Sequence, residues 1–513
     1  MSVSDSRLVC AGCGALIDER EPRPFRCPRA DELQLVDHVV RRELDLRGTT
    51  FPGATEGVGA GASRGEHADA DADAGAGASR GEQLDSGAGD APNPFIRYRT
   101  LLHSWRLARR HGLADADYVA LVRDLDARVA AADDELAAAF GVGAPGRGFA
   151  QTPLRPADEL GAALGMAPGA LLIKDETGNV AGSHKARHLM GLALFLELSE
   201  RALATPRADE LAIASCGNAA LAAAVLARAL RRRLSVFIPT WADESVVHAL
   251  HALGAQTHAC PRRDDDPPGD PVTHAFRRAV LAGAVPFTCQ GSENGLTIEG
   301  GQTLGWELAA QLDGRAADRL LIQVGGGALA SAVVQGLDEA RRLGALPRLP
   351  RLHCVQTEGG HPLERAWRQV AQDVAGHARG AAPDADAPAD AWAGWLASPA
   401  AAGSVEAVLA AAPRQRERYM WAWEPAPRSL ATGILDDETY DWLVLVQVMI
   451  ATGGWPVVAS EADIAEANEL GRRASGLSVS ATGSAGLAGL IGMRRVGTVA
   501  PDERTLLLFT GVR

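Results

Sequence analysis

The chain has 513 residues, 47% of them hydrophobic and 22% charged, which is typical of a globular protein with two or more domains. Its formal net charge is −13, and it contains neither a basic amphipathic stretch, nor an apolar run of about 20 residues, nor a basic-plus-apolar leader. We therefore expect neither a nucleic-acid partner, nor a membrane, nor secretion. The seven cysteines, four of them scattered singly, favour reduced thiols in the cytoplasm.

The N-terminal segment, residues 1–48, holds three of the seven cysteines. Cys10 and Cys13 have the C-x2-C spacing of metal ligands. Cys27 and His38 could complete a site of three cysteines and one histidine. The alternative is that these residues are plain thiols without a metal.

Residues 49–93 follow, rich in Gly, Ala, Ser and acidic residues with almost no large apolar side chains. The octapeptide GAGASRGE occurs twice there, at 59–66 and 75–82. Such a composition cannot bury enough apolar surface to offset the entropy lost on ordering. We predict a disordered linker.

From residue 94 to 513 the chain alternates strand-like apolar runs with Ala-rich helical stretches. Each run ends in glycine or a turn residue: ELAIASCGN, LSVFIPT, RLLIQVGGG, LHCVQTEG and RTLLLFTG. This alternation predicts an α/β fold built from parallel βαβ units. Two polar stretches, 261–271 and 376–403, are predicted to be surface insertions.

Lysine is the rarest cation in this chain. Of the 51 Lys and Arg residues only Lys174 and Lys185 are lysine, and they lie close together. Arginine cannot replace a neutral nucleophilic amine, so Lys185, in the polar loop GSHKARH, is a candidate for Schiff-base chemistry. An exposed lysine at a helix start is the alternative. For Lys174 we predict an ion pair with Asp175 or Glu176.

Three further motifs lie at strand ends. Gly325, Gly326 and Gly327 follow the run RLLIQV, and their N–H groups could hold a phosphate or simply form a turn. The loop from Ser215 to Asn218 follows ELAIA, where parallel sheets bind ligands, although it could equally be a helix N-cap. A lone hydroxyl such as that of Thr510, in TLLLFTG, is usually structural.

In this order the motifs resemble the pyridoxal-phosphate (PLP) enzymes of the tryptophan-synthase-β fold, or fold type II. The resemblance covers roughly residues 94–513 and is closest to the threonine synthase and threonine/serine dehydratase branch. It rests on QTPL, KDETGNVAGSHKARH, ASCGN, IEGGQTLGWEL, QVGGGALASAVVQG, VQTEGGHPL, ATGILDD, ATGSAGLAGL and LLFTG.

The resemblance implies a role for each site residue. Lys185 would attach PLP and later act as acid and base, Asn218 would bind the ring oxygen, and Thr510 would face the ring nitrogen. The phosphate would lie on the backbone of Gly325, Gly326, Gly327 and Ala328. The substrate carboxylate would be bound by Ser215, Cys216 and Gly217.

The resemblance also implies two open parallel-sheet αβα domains with PLP in the cleft between them. A smaller mobile subdomain would span roughly 190–300, and the protein would be a homodimer. The N-terminal cysteines are similar to the zinc-ribbon-like start of some threonine synthase relatives, which implies a Zn site at Cys10, Cys13 and Cys27.

The implied activity is elimination or replacement on a small hydroxy- or phosphohydroxy-amino acid, as in threonine synthase. Threonine/serine ammonia-lyase activity is the alternative within the family. The motifs depart from the family pattern at His184, Ala186, Cys216 and Ser480-Ala481, so the resemblance implies the reaction class and leaves the substrate open. A PLP-binding accessory protein without turnover, or a metal-dependent interaction module on a scaffold, are alternatives of other classes.

Overall fold

The computed structural model describes residues 6–30, 32, 36–52, 93–141, 146–264, 266, 269–378, 380–424 and 427–512. The linker predicted at 49–93 falls almost entirely outside these residues, so its predicted disorder stays a prediction.

The N-terminal segment forms a small antiparallel sheet in the order β2-β1-β3. Its strands are β1 (Ser6–Cys10), β2 (Leu16–Ile17) and β3 (Val40–Leu44). Leu8, Phe25 and Val40 are buried and belong to the main hydrophobic core of the chain. The segment is therefore packed onto the rest of the protein and shares its core.

The remaining strands build two separate sheets. They are β4 (Leu154–Pro156), β5 (Leu171–Asp175), β6 (Glu210–Ala214), β7 (Arg233–Ile238), β8 (Gln256–Ala259), β9 (Val285–Pro286), β10 (Arg319–Gln323), β11 (Arg351–Thr357), β12 (Val457–Ala459) and β13 (Thr505–Phe509).

The helices alternate with these strands. The first nine are α1 (Pro94–Arg97), α2 (His103–Arg110), α3 (Asp115–Phe140), α4 (Asp158–Ala163), α5 (Lys185–Ala202), α6 (Asn218–Leu230), α7 (Glu244–Ala252), α8 (Pro271–Leu281) and α9 (Thr297–Leu312). The others are α10 (Ala328–Arg342), α11 (Pro362–His377), α12 (Ala389–Leu396), α13 (Ala402–Ala411), α14 (Arg416–Tyr419), α15 (Trp442–Thr452), α16 (Glu461–Ser475) and α17 (Ala481–Arg495). Single 3₁₀ turns lie at Arg99–Leu101, Val180–Gly182, Ala412–Gln415 and Thr432–Ile434.

The large sheet has six strands in the order β12-β11-β10-β13-β5-β4, and the small sheet has four in the order β8-β7-β6-β9. All neighbours are parallel except β4, which pairs with β5 in the antiparallel sense. The predicted α/β fold with two parallel sheets is therefore confirmed. The small sheet lies within the subdomain predicted at roughly 190–300.

Alanine-rich helices cover the sheets because small side chains and high helix propensity suit close helix packing. In α6 every residue from Ala220 to Leu230 is buried except Arg228, and α5 and α17 are almost as deeply buried. Within the predicted insertion 376–403, α12 buries Trp392, Ala393 and Leu396, so this stretch contributes a packed helix.

Among the residues described, none of the helices has both the length and the apolar character that crossing a membrane requires.

Candidate active site

Three neighbouring strands of the large sheet end at one place. Strands β10, β13 and β5 are adjacent and parallel, so the residues that follow them share one edge of the sheet. The turn at 325–327 follows β10, Thr510 follows β13, and the segment that leads to Lys185 follows β5. Open parallel sheets bind their ligands at this carboxyl edge.

Lys185 is the first residue of α5, and a tight turn sets its position. Ala181 and Gly182 precede it with φ values of 54° and 66°. A non-glycine residue at positive φ costs free energy, and here the N–H of Ala181 donates to Asp133 Oδ1 at 2.9 Å. Ser183 then forms a bridge with Gly511 beyond β13. These contacts fix the backbone from which the partly exposed lysine projects.

His184 ties the lysine to Thr510. Its backbone N–H and its Nδ1 both lie 3.1 Å from the Thr510 carbonyl oxygen, so Nδ1 carries the proton and donates. Burial, together with the charge of Lys185, lowers the pKa of His184 well below its usual value. The imidazole is therefore neutral, and its buried Nε2 has no hydrogen-bond partner among the described residues.

Asn218 brings the small sheet to the same place. It is the first residue of α6 and follows β6. A Cβ at Gly511 would lie 3.0 Å from Asn218 Nδ2 and 3.1 Å from Ser183 Cβ. The segments carrying Asn218, Lys185 and Thr510 therefore meet at Gly511, which is the junction of the two sheets.

The loop Ser215–Gly217 connects β6 to α6. Ser215 N donates to Phe237 O at 3.2 Å, and Gly217 N donates to Ser215 Oγ at 3.4 Å. Burial raises the pKa of Cys216, so its thiol is protonated. The three predicted carboxylate-binding residues thus lie next to Asn218, at the carboxyl end of the small sheet.

The turn formed by Gly325, Gly326 and Gly327, called the glycine turn below, already holds an anionic group. Gly326 N donates to Asp436 Oδ2 at 2.7 Å, and a Cβ at Gly325 would lie only 2.2 Å from the same oxygen. Gly327, at φ 96°, is the N-cap of α10, which begins at Ala328. Backbone N–H groups at a helix N-terminus favour negative charge, and a carboxylate occupies that position here.

The segment from residue 434 to 441 covers the turn. Thr439 Oγ1 donates to Gly325 O at 2.9 Å, and Asp441 N donates to Gly326 O at 3.1 Å. Burial raises the pKa of Asp436, whereas the charge of Lys185 and the bond from Gly326 act to lower it. Lys185 and the carboxylate on the turn are thus electrostatic neighbours.

Thr510 is held by its hydroxyl as well as by its backbone. Gln323, the last residue of β10, donates from Nε2 to Thr510 Oγ1 at 2.6 Å and to Gly483 O at 2.8 Å. Thr510 N donates to Gly483 O at 3.2 Å. Thr510 and Gln323 are both buried.

Lys174 lies in a buried ionic cluster, but its partner differs from the prediction. Its Nζ contacts Glu307 Oε2 at 2.7 Å, and both side chains have 0% exposure. Asp175 is the next residue of β5, so its side chain points to the opposite face of the sheet. Glu176 is bound by Arg187, whose Nε lies 2.8 Å from Glu176 Oε2. The prediction that Lys174 pairs with Asp175 or Glu176 is therefore wrong, and its partner is Glu307 on α9.

The N-terminal cysteines and His38 converge although they come from three separate stretches of the chain. Cys10, Cys13, Cys27 and His38 each offer one ligand atom, and these atoms lie within 4.8 Å of one another. The Cys10 Sγ to His38 Nδ1 distance is 3.3 Å, and the Cys13 Sγ to Cys27 Sγ distance is 3.5 Å. Ligands about 3.8 Å apart are expected around a tetrahedral ion with bonds of about 2.3 Å to sulfur.

Sequence reasoning missed Asp436 and Gln323 as members of this site. Gln323 is a polar residue at the end of an otherwise apolar strand, immediately before the glycines, and this was the available signal. Asp436 lies in the motif ATGILDD and begins the acidic run DDETYD, so the available signal was a carboxylate within a motif of the family resemblance.

Comparisons with known proteins agree with this geometry. A threonine synthase from Methanocaldococcus jannaschii is 22% identical over 367 residues, covering 70% of this chain and 74% of the relative. One from Methanosarcina acetivorans is 29% identical over 226 residues, covering 44% of this chain and 51% of the relative. The processed form of threonine deaminase isoform 2 from Solanum lycopersicum shares the fold, with a TM-score of 0.50 at 16% identity, covering 71% of this chain and 84% of that one.

The family model described as "Pyridoxal-phosphate dependent enzyme" matches residues 147–411, more than half of the chain. This range includes Lys185, the loop before Asn218 and the glycine turn. The chain therefore belongs to the family of pyridoxal-phosphate dependent enzymes.

Proposed function

We propose that this protein is a PLP-dependent lyase that performs elimination or replacement on a small hydroxy-amino acid, in the manner of threonine synthase. The observation that carries the proposal is the convergence of Lys185, Asn218 and Thr510 at the junction of the two sheets, with the glycine turn at the same edge of the large sheet. The names of the curated relatives support the same reaction class.

The residues present fit PLP. The Asp436 carboxylate on Gly326 N supports the turn 325–327 and Ala328 as the anion site for the phosphate. Asn218 would bind the ring oxygen, and Thr510 would meet the ring nitrogen with a neutral hydroxyl. Asp436 and a phosphate cannot share Gly326 N, so the carboxylate would have to move when PLP binds.

Lys185 is the proposed nucleophile for the PLP aldehyde, and its released amine would move the proton at the substrate Cα. When bound, PLP supplies the electron sink for this chemistry. The loop Ser215, Cys216 and Gly217 would bind the substrate carboxylate through N–H and O–H donors.

A second reaction, ammonia release from serine or threonine, is favoured by the acidic segment over the site. Asp436 lies on the glycine turn, and the ring of Tyr440 packs on Gly326. Burial, followed by the charges of Asp436, Asp437 and Glu438, raises the pKa of Tyr440 well above its usual value. Even after the Asp436 carboxylate leaves Gly326 N to the cofactor phosphate, the charges of Asp436 and Asp437 would repel a second phosphate on the substrate, whereas an unphosphorylated substrate would meet no such repulsion.

The substrate panel tests both reactions. We expect the holoprotein to change its absorption spectrum with at least one of serine, threonine, homoserine and phosphohomoserine. Phosphate with threonine as products would identify a threonine synthase, whereas ammonia with a 2-oxo acid would identify an ammonia-lyase. The absence of any spectral change or product with all four would contradict the lyase proposal and leave a PLP-binding accessory protein.

We also propose that Cys10, Cys13, Cys27 and His38 bind one zinc ion. Three thiolates and one imidazole are a ligand set that zinc prefers in structural sites. The neighbouring Asp37 supports a structural role, because its Oδ2 accepts the indole N–H of Trp442 at 2.9 Å. A metal at His38 would thus hold the N-terminal sheet against α15.

Replacement of Cys10 by serine tests this site. We expect wild-type protein purified from zinc-supplemented medium to contain about one zinc per chain and Cys10→Ser to lose most of it, because one thiolate ligand is missing. Metal content by elemental analysis is the measurement. Cys260→Ser, which changes a cysteine outside the cluster, is the control and should retain the metal. Equal zinc content in both variants would contradict the proposal.

We further propose a cytoplasmic homodimer as the working form. All seven cysteines are free in the structure, which supports a reducing compartment.

A further inference from the structure

Thr510 has one hydrogen bond whose direction is fixed by its partner. Gln323 Nε2 lies 2.6 Å from Thr510 Oγ1 and 2.8 Å from Gly483 O. A carbonyl oxygen can only accept, so the amide nitrogen, and not Oε1, must face this side. Rotating the amide by 180° would direct Oε1 at the carbonyl oxygens of Gly483 and Leu508, so that acceptors would face acceptors.

The hydrogen bond from Gln323 determines what the hydroxyl proton of Thr510 can do. Because Nε2 donates to Oγ1, the threonine hydroxyl accepts from Gln323 and keeps its own proton for another acceptor. Two backbone hydrogen bonds hold Thr510 in place. Thr510 N donates to Gly483 O, and His184 N donates to Thr510 O. The hydroxyl therefore cannot turn to a new partner without breaking buried hydrogen bonds.

We propose that Gln323 is a positioning residue that makes Thr510 a hydrogen-bond donor toward the cofactor ring nitrogen. This inference rests on the proposed function, in which PLP binds with that nitrogen at Thr510. A donor hydroxyl pairs with an unprotonated pyridine nitrogen and disfavours the pyridinium form. Gln323 thus selects the protonation state that favours elimination and replacement over transamination.

Gln323→Glu is the direct test, since it preserves shape and reverses the polarity of the hydrogen bond. A carboxylate oxygen accepts the Thr510 proton, so the hydroxyl lone pairs face the ring. If burial keeps the acid protonated, its single proton goes to Gly483 O and the other oxygen still accepts from Thr510. We expect the pKa of the ring nitrogen to rise by about one unit, the effect of about one net hydrogen bond.

The readout is the ¹⁵N chemical shift of labelled PLP bound to each variant, followed across pH. The amount of pyridoxamine phosphate formed per turnover gives a second, chemical readout, expected to rise about tenfold in Gln323→Glu. Gln323→Met, which removes the donor without adding an acceptor, should shift the ring nitrogen in the same direction by a smaller amount. If Gln323→Glu does not fold, Gln323→Met still tests the proposal.

Two controls separate this mechanism from a general charge effect. Gln356→Glu places the same change on a buried glutamine at the end of the neighbouring β11 and should leave the ring nitrogen unchanged. In a Thr510→Val background, Gln323→Glu should have no further effect, because the hydroxyl that transmits it is absent.

The inference is wrong if wild type and both Gln323 variants give the same ring-nitrogen titration, or if the shift persists without the Thr510 hydroxyl. PLP that binds normally with an unchanged ring nitrogen would refute only the role of Gln323. A wild-type protein that binds no PLP would overturn this inference and the proposed function together.

Discussion

Replacement of Lys185 by alanine or arginine is expected to abolish the visible absorption band of lysine-bound PLP and to lower kcat by at least about a thousandfold. In the proposed mechanism the amine would be both the nucleophile that attaches the cofactor and the base that moves the Cα proton. Arginine keeps the positive charge but stays protonated, so it cannot replace either role. The measurements are the spectrum after PLP addition and removal of excess, and turnover with the substrate that the panel identifies.

The chain offers a matched control in its other lysine. Lys174→Arg retains a cation in the buried cluster and should keep the PLP band, even where it lowers stability. A band of wild-type intensity in Lys185→Ala would refute the assignment of the cofactor lysine. Loss of the band in a folded Lys174→Arg protein would also contradict this assignment, because PLP binding would then depend on both lysines and not on Lys185 alone.

Replacement of Glu307 by glutamine should lower the free energy of unfolding by about 3–5 kcal/mol, the cost of leaving a buried charge without its partner. Glu307 contacts Lys174 at 2.7 Å and Arg187 at 2.9 Å, and all three side chains are at most 1% exposed. With Glu176 the cluster has two cations and two anions, so removing one anion leaves a net buried positive charge. Denaturant unfolding monitored by circular dichroism measures the loss.

A solvent-exposed ion pair provides the comparison. Glu469 and Arg473 are paired on α16 with 79% and 65% of their side-chain surface exposed, so Glu469→Gln should cost less than about 1 kcal/mol. Removing both Lys174 and Glu307, as Lys174→Met with Glu307→Gln, should cost less than the sum of the single changes, because charge balance is restored. Additive losses, or equal losses for Glu307→Gln and Glu469→Gln, would contradict this account.

The pH dependence of stability should change with the same variant. Burial acts to raise the pKa of Glu307, but Arg187 and Lys174 outweigh it and hold the pKa below the usual 4.5. A carboxyl with a depressed folded pKa stabilises the fold above its unfolded pKa, and this contribution is lost as the pH falls through the folded value. Wild type should therefore lose more stability than Glu307→Gln when acidified below about pH 4.5.

The alternation of apolar runs and Ala-rich stretches predicted the parallel architecture because strand and helix formation depend largely on local pattern. The runs RLLIQ and TLLLF became β10 and β13, and glycines marked where they end. The antiparallel edge strand β4 was not predicted, since three residues with one apolar side chain carry too weak a pattern.

Local sequence also identified residues whose chemistry few other side chains can perform. Lys185 stood out because arginine had replaced lysine almost everywhere else, and the cysteine spacing at 10 and 13 indicated a metal site. Motif order then supplied the family, which the matching family model shows.

Sequence by itself thus determined the alternation of parallel strands and helices, the family and the candidate lysine of this protein. Only the tertiary structure decided that Lys174 pairs with Glu307, that Asp436 lies on the glycine turn, and that Gln323 donates to Thr510. Each of these contacts joins residues more than 100 positions apart, and its partner depends on which strand ends and helices the fold brings together. Hydrogen-bond and charge interactions act over a few ångströms, so they follow the packing of the chain and leave no trace in local pattern.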